Sequence, residues 1–113
     1  MIQRKIKTPI MHRIVRANGF VFIGGTTADD KKLQMAGQTQ QVLDKLDAYL
    51  AEAGTDKTKL VAATIFMTDL AQKKEMDTVW TAWLGDDLPT RATVGVAALG
   101  PGSLIEVVVT ALA

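Results

Sequence analysis

The chain has 113 residues, of which 48% are hydrophobic and 22% charged, so the composition predicts one globular domain spanning residues 1–113. Thirteen basic and twelve acidic side chains leave a formal charge of +1, which provides no electrostatic footprint for nucleic acid or for an anionic membrane. The absence of cysteine excludes disulfides, thiolate nucleophiles and cysteine-based metal sites. Neither a secretory signal nor an apolar run of roughly 18 residues is found, so we expect a soluble cytoplasmic protein.

The first half of the chain shows a turn signal followed by a helical stripe. Asn18–Gly19 lies between two apolar runs and indicates a β-hairpin, because both residues tolerate positive φ. A helix is predicted over about Lys31–Ala53, with Asp29 or Asp30 as its N-cap and Gly54 at its end. Its apolar stripe consists of Met35, Val42, Leu43, Leu46, Tyr49, Leu50 and Ala53.

The second half alternates strands with one helix. Leu60–Met67 is a continuous apolar run, typical of a strand buried on both faces. A second helix is predicted between a cap at Thr68 or Asp69 and Gly85. The last two strands are predicted at Arg91–Val96 and Leu104–Leu112. The resulting order, β-β-(β)-α-β-α-β-β with one early strand left optional, indicates an α+β fold in which the helices serve as crossovers of a mixed sheet.

The last strand is apolar on both of its faces. Ile105, Val107, Val109 and Ala111 alternate with Val108, Thr110 and Leu112. Because two helices cover only one face of such a sheet, the other face would expose a large apolar patch, which soluble monomers rarely tolerate. The pattern therefore predicts a self-association interface.

Two charged residues in the last strands are the main candidates for chemistry. Glu106 lies inside the apolar run Leu104–Val109, where burying a carboxylate is costly unless a partner or a reaction uses it. Arg91 begins the neighbouring strand and carries a planar fork that can grip a carboxylate through two hydrogen bonds. Together they predict a small site for an anionic metabolite beside an acid/base group. The alternatives are a solvated Arg91, and a Glu106 that forms a structural ion pair or blocks edge-to-edge aggregation.

Other chemistries have weaker support in the sequence. Gly24–Gly25 would let a ligand approach the backbone, but such a pair is more often an ordinary turn or bulge, and it lacks the spacing of a dinucleotide or phosphate loop. His12 and Ser103 are the only histidine and serine, and nothing in their context indicates a catalytic triad. A metal site is not predicted, because there is no second histidine and no spaced set of carboxylates.

Several segments, taken in order, resemble one family of proteins. They are Gly19–Gly25, Ala36–Leu43, Leu50–Gly54, Thr64–Leu70, Pro89–Val94 and Ile105–Val107. In sequence and spacing they are similar to the RidA/YjgF family of reactive-intermediate deaminases, also called the L-PSP family. The resemblance extends from about Ile14 to the end of the chain.

The resemblance implies a chorismate-mutase-like α+β fold, with two helices on one face of a mixed sheet. It also implies a homotrimer whose sheets form a central barrel, with the sites in clefts between subunits. The implied reaction is hydrolysis of 2-imino acids, or their enamine tautomers, to 2-keto acids and ammonia, without a metal or other cofactor. The resemblance also implies a role for three positions. Arg91 would bind the substrate carboxylate, Glu106 would hold or activate water, and the backbone at Gly25 would contact the imine.

The chain departs from the family pattern at several positions near these residues. Met11 or His12 stands where the family commonly has an aromatic lid, Asp77 where it has asparagine, and Thr93 where it has cysteine or serine. These departures bear on substrate choice and rate. The substrate-binding residues that the resemblance implies are Gly25, Arg91, Thr93, Asp77 and Met11.

Three hypotheses for function follow. The first is an imine deaminase in which Arg91 orients the substrate and Glu106 directs water at the C=N carbon. The second is a non-catalytic ligand-binding or chaperone-like trimer on the same scaffold, since fold does not imply function. The third is an RNA-cleaving protein, against which the near-neutral charge, the scarce aromatic residues and the lack of a histidine pair all argue.

Overall fold

A computed structural model describes residues 1–113 and shows an α+β fold with six strands and two helices. The strands are β1 (Gln3–Lys7), β2 (His12–Ala17), β3 (Phe20–Thr26), β4 (Leu60–Met67), β5 (Thr90–Gly95) and β6 (Ile105–Leu112). The helices are α1 (Met35–Glu52) and α2 (Lys73–Leu84), and short 3₁₀ turns occupy Lys57–Lys59 and Leu70–Gln72. The predicted fold class is therefore confirmed.

All six strands form one mixed sheet in the order β1-β2-β3-β6-β4-β5. Every neighbouring pair is antiparallel except β4 and β5, which are parallel and are connected through α2. The last strand, β6, lies between β3 and β4 and is the strand on which the two halves of the chain meet. The predicted order places the optional strand after the hairpin, where the structure has none; the additional strand is instead β1, which precedes the hairpin. This edge strand is fully exposed, and its charged sequence has no apolar period.

The hydrophobic core lies between the two helices and one face of the sheet. Alternate strand residues point into it, and α1 contributes the predicted stripe. The largest of its fully buried residues are Ile14, Ile23, Met35, Leu43, Leu46, Leu50, Ile65, Met67, Met76 and Ile105. From α2, the same core receives Met76, Trp80 and Leu84.

The opposite face of the sheet has no helix over it and is rich in apolar side chains. Phe22 is 44% exposed, Val94 39% and Leu112 45%. In β6 the buried residues Ile105 and Val107 alternate with residues of this second face, among them Glu106. The placement of both helices on one face, predicted from the sequence, is thus observed.

Both predicted helix starts are wrong. Helix α1 begins at Met35 rather than near Lys31, because the intervening segment is held as a loop by distant contacts. The Lys31 ammonium donates to Thr27, Ala28 and Ser103, and the last of these lies 72 residues away. Asp30 caps no helix, since its carboxylate accepts from the Lys32 amide within a turn.

Helix α2 begins at Lys73 rather than directly after Thr68 or Asp69. Asp69 is a cap, but of the preceding 3₁₀ turn, where its carboxylate accepts a hydrogen bond from the Ala71 amide at 3.0 Å. Short 3₁₀ turns are common at the N-terminal ends of α-helices and are not distinguished by the apolar period.

Candidate functional site

Glu106 lies directly against Gly25. Between Ile23 and Thr26 the register of β3 on β6 shifts, and this bulge places Gly25 beside the glutamate. A Cβ atom added at Gly25 would lie 3.0 Å from Glu106 Cδ and would collide with Oε2. Only glycine therefore allows the carboxylate to occupy this position.

The carboxylate of Glu106 has no partner within the chain. None of the four ion pairs includes it, and no side-chain hydrogen bond reaches it. It is half-buried and points to the helix-free face, where its neighbour in register on β4 is Phe66. Within a single chain, Glu106 therefore does not form the structural ion pair that was one alternative from the sequence.

Met11 and Arg13 complete the surroundings of this bulge. A Cβ atom at Gly24 would lie 3.0 Å from Met11 Cε, so the methionine side chain covers that glycine. Arg13 Nη2 donates to the carbonyl oxygens of Gly24 and Gly25, at 2.8 Å each, and to Thr26 Oγ1 at 2.7 Å. Three of the predicted site residues thus lie together at the bulge: Gly25 belongs to it, and Met11 and Glu106 contact its two glycines.

A second group forms around Arg91 on the helix side of the sheet. Arg91 Nη2 lies 2.7 Å from Asp77 Oδ1, and the guanidinium carbon lies 5.7 Å from the centre of the Trp80 ring. A cavity of about 290 Å³ lies beside this pair. Its apolar wall consists of Trp80, Leu88 and Pro89, and its charged wall of Asp77 and Arg91. Thr93 follows on the same face of β5, two residues beyond Arg91.

Asp77 connects two cations. Its Oδ2 atom accepts from Lys73 Nζ at 2.7 Å, while Oδ1 faces Arg91. Burial acts most strongly on the pKa of this carboxyl and would raise it, but the hydrogen bonds and charges of Lys73 and Arg91 together outweigh burial and lower the pKa below its usual value. Asp77 is therefore ionised at neutral pH, and its group retains one net positive charge.

The two groups lie on opposite faces of the sheet. Arg91 is paired in register with Ala63, whose side chain enters the core, whereas Glu106 is paired with Phe66 on the other face. Successive side chains in a strand alternate between faces, so no rotamer of either residue brings them together within one chain. The expectation of an acid/base group beside the arginine is not met inside a single copy of the protein.

Two residues near these groups were missed by sequence reasoning. Lys73 had a signal, since it lies four residues before Asp77 on a helix and such pairs are neighbours. Arg13 had none, because a lone arginine in a hairpin strand is indistinguishable from a solvated one. No three His, Cys, Asp or Glu side chains lie close enough together to hold a metal ion.

Comparison with known families gives a match over almost the whole chain. A sequence profile of the family described as endoribonuclease L-PSP matches residues 6–113. The chain belongs to the L-PSP family, which includes the RidA/YjgF proteins. The resemblance inferred from short segments is thus confirmed.

Individual L-PSP relatives agree with this assignment. A RutC family protein of Haemophilus ducreyi is 32% identical over 98% of this chain and 96% of its own length. The chloroplastic Reactive Intermediate Deaminase A of Arabidopsis thaliana is 30% identical, over 82% of this chain and 53% of that longer protein. Among solved structures, NMB1025 of Neisseria meningitidis, a YjgF family member, is 33% identical with a TM-score of 0.92, covering 99% of this chain and 94% of its own.

Neither helix of this L-PSP fold could span a membrane. Neither α1 nor α2 combines the length and the apolar character that a membrane-crossing helix requires.

Proposed function

We propose that the protein hydrolyses reactive 2-imino acids, or their enamine tautomers, to 2-keto acids and ammonia. It would act in the cytoplasm as a homotrimer of one-domain subunits, each spanning residues 1–113. The observation that carries the proposal is the unpartnered carboxylate of Glu106, held against Gly25 on an otherwise apolar face. The similarity to a protein named Reactive Intermediate Deaminase A supports the reaction class.

Arg91 would bind the substrate carboxylate. Its guanidinium already contacts Asp77 through Nη2, and the neighbouring cavity is open to a small anion. A carboxylate held by an arginine fork is fixed in direction as well as in position. That fixes the C=N carbon, one bond away, relative to the rest of the site.

Glu106 would act as a general base on water. The carboxylate accepts a proton from the attacking water as the water oxygen bonds to the C=N carbon, and the imine nitrogen takes up a proton from solvent as its double bond opens. Glu106 then gives its proton to the amine nitrogen of the resulting carbinolamine, and the C–N bond breaks to release ammonia. The hydroxyl proton passes to solvent as the carbon–oxygen bond becomes the ketone of the 2-keto acid, so the carboxylate is regenerated without a metal or other cofactor.

A second copy of the chain would complete the site. Arg91 and Glu106 lie on opposite faces of one sheet, so a shared pocket needs Arg91 of one copy and Glu106 with Gly25 of another. Arg91 belongs to β5, an edge strand, which suits it to meet a neighbour. Burial of the apolar helix-free face between copies would remove its exposed side chains from water. Met11 and Thr93 would contribute to the walls of the pocket.

A non-catalytic ligand-binding or chaperone-like trimer is the second candidate. One observation favours it: part of the Arg91 fork is already occupied by Asp77 in the free chain. Such a protein would bind 2-keto or 2-imino acids through Arg91 without turning them over.

The test is release of ammonia and 2-keto acid from imines generated by an amino-acid oxidase, compared across several side chains. Acceleration over the spontaneous rate is expected, together with a mass by light scattering of about three times the 12.2 kDa chain. A protein that is trimeric and binds a 2-keto acid without accelerating hydrolysis would be the non-catalytic form. A monomer at micromolar concentration would overturn the shared site.

A further inference from the structure

Arg13 holds the backbone of the β3 bulge through a single nitrogen. The two hydrogens of its Nη2 atom are shared among three acceptors, the carbonyl oxygens of Gly24 and Gly25 and the Thr26 hydroxyl, at distances of 2.7–2.8 Å. The hydroxyl in turn donates to the Gly24 carbonyl at 2.9 Å. Thr26 is fully buried, so this network lies at the edge of the core.

Two consecutive carbonyls that point at one atom are not a property of a regular strand. In extended backbone, successive carbonyls point in opposite directions. Turning two of them to the same side brings their partially negative oxygen atoms together, and these repel each other. A guanidinium nitrogen between them offsets that repulsion through charge-assisted hydrogen bonds. The conformation of Gly24–Gly25 therefore depends on the cation of Arg13.

The guanidinium of Arg13 also contacts helix α1. Its central carbon lies 5.2 Å from the centre of the Tyr49 ring, within the range of a cation–π contact. Arg13 thus ties the bulge, which carries Gly25 and adjoins Glu106, to a helix of the core. None of these contacts involves Arg91, which belongs to the separate group on the helix side.

We propose that Arg13 is a positioning residue for hydrolysis: by fixing the Gly24–Gly25 carbonyls it sets where the Glu106 carboxylate and the imine nitrogen lie relative to each other. The inference rests on the proposed function and deepens it. Because Gly25 has no side chain and contacts Glu106 directly, a shift of this backbone moves the base. Substrate affinity, set by the carboxylate grip of Arg91, should change little.

The experiment compares steady-state kinetics of Arg13→Met, Arg13→Lys and the matched control Arg16→Met. Arg16 lies on the same strand and binds only the Ala53 carbonyl at the end of α1. Arg13→Met should lower kcat by about 10²-fold with KM within about two-fold, as expected when a reacting group is misplaced by about 1 Å. Arg13→Lys should recover most of the rate, because one nitrogen makes all three contacts and an ammonium carries three donors.

A spectroscopic readout separates this proposal from the proposed function. The backbone carbonyl ¹³C shifts of Gly24 and Gly25 should move in Arg13→Met and not in Arg16→Met. If the wild-type protein hydrolyses no imine, the proposed function fails, and these shifts decide the role of Arg13 alone. Unchanged kcat in a folded Arg13→Met, or unmoved shifts, would overturn the proposal. Should Arg13→Met not fold, Arg13→Gln serves for the same comparison.

Discussion

Asp77 Oδ1 lies 2.7 Å from Arg91 Nη2, so the arginine proposed to bind substrate has a carboxylate partner before any substrate arrives. The other oxygen of Asp77 lies 2.7 Å from Lys73 Nζ. A substrate anion would therefore join a group of two cations and one anion, with its carboxylate on the part of the fork that Asp77 leaves open. Three of the predictions below depend on this arrangement.

Replacing Arg91 should abolish turnover while leaving the fold intact. Arg91→Ala removes a charge-assisted pair worth about 1.5–3 kcal/mol to a bound carboxylate. Arg91→Lys should recover little, since an ammonium cannot present two parallel donors. Deaminase rates and melting temperatures check this, with Arg4→Ala on the exposed strand β1 as the control for loss of one positive charge. A fully active Arg91→Ala would show that the carboxylate is held elsewhere.

Asp77→Asn should widen the substrate range towards dicarboxylic imino acids. A second carboxylate on the substrate would meet the charge of Asp77, and two like charges about 4 Å apart in water repel by about 1 kcal/mol. We therefore expect kcat/KM for a dicarboxylic imine, relative to a 2-iminopropanoate-type substrate, to rise about five-fold. The matched control is Asp86→Asn, the same change at an exposed loop residue. An unchanged ratio would place Asp77 outside the substrate's reach.

The contribution of Asp77 to stability should disappear in acid. Although burial opposes it, the contacts with Lys73 and Arg91 hold the pKa of Asp77 below its unfolded value of about 3.9. A lowered folded-state pKa means that the stabilisation is complete above the unfolded pKa and is lost as pH falls through the folded pKa. The difference in melting temperature between wild type and Asp77→Asn should be constant from about pH 5 to 8 and shrink below about pH 4.

Two other carboxyls have lowered pKa values, but they cancel in that comparison. Hydrogen bonding from Lys45 lowers the pKa of Asp29, and hydrogen bonding from Thr58 lowers that of Asp56. Both residues are present in wild type and in Asp77→Asn, so their titration affects the two proteins equally. A difference curve that stays flat down to pH 2 would show that Asp77 is not stabilised by its two cations.

Glu106→Gln should keep the fold and lose most of the rate. Glutamine preserves the size of the side chain but cannot accept a proton, and loss of a well-placed general base costs about 10²–10⁴ in rate. Because the carboxylate has no intrachain partner to lose, the unfolding free energy should change by no more than about 0.5 kcal/mol. Glu52→Gln at the end of α1 is the control. A destabilised but active Glu106→Gln would assign the carboxylate a structural role between subunits.

Gly25→Ala should displace the carboxylate of Glu106 while leaving the glutamate itself in place. The new methyl group would occupy the place of Glu106 Oε2, so the flexible end of the glutamate must turn away. We expect a fall in rate of about 10²-fold from misplacement of the base. Gly100→Ala is the control, since its new methyl carbon would meet nothing nearer than Ser103 Oγ at 4.0 Å. Wild-type turnover in Gly25→Ala would remove Glu106 from the proposed mechanism.

Local chemistry in the sequence was enough to predict several elements. The turn at Asn18–Gly19 has φ values of 51° and 81°, as the residue types indicated. The strand Leu60–Met67 has the predicted bounds, although only one of its faces is buried in a single chain. The apolar stripe of α1 is buried apart from Tyr49, which is partly buried. Each of these features depends on neighbours within a few residues, on backbone freedom or on a period, which the sequence displays directly. The candidate residues Arg91 and Glu106 were found in the same way, as charges within apolar strands.

Contacts between distant parts of the chain decided the rest. The start of α1 depends on Lys31 meeting Ser103, and the bulge at Gly24–Gly25 depends on Arg13 reaching across the hairpin. Whether Arg91 and Glu106 share a face is a matter of register, since a shift of one residue moves every side chain of a strand to the other side of the sheet. That register is set by pairing of β5 and β6 with β4. Only the folded sheet therefore shows that the two residues are separated within one copy, which is why the proposed site needs a second copy.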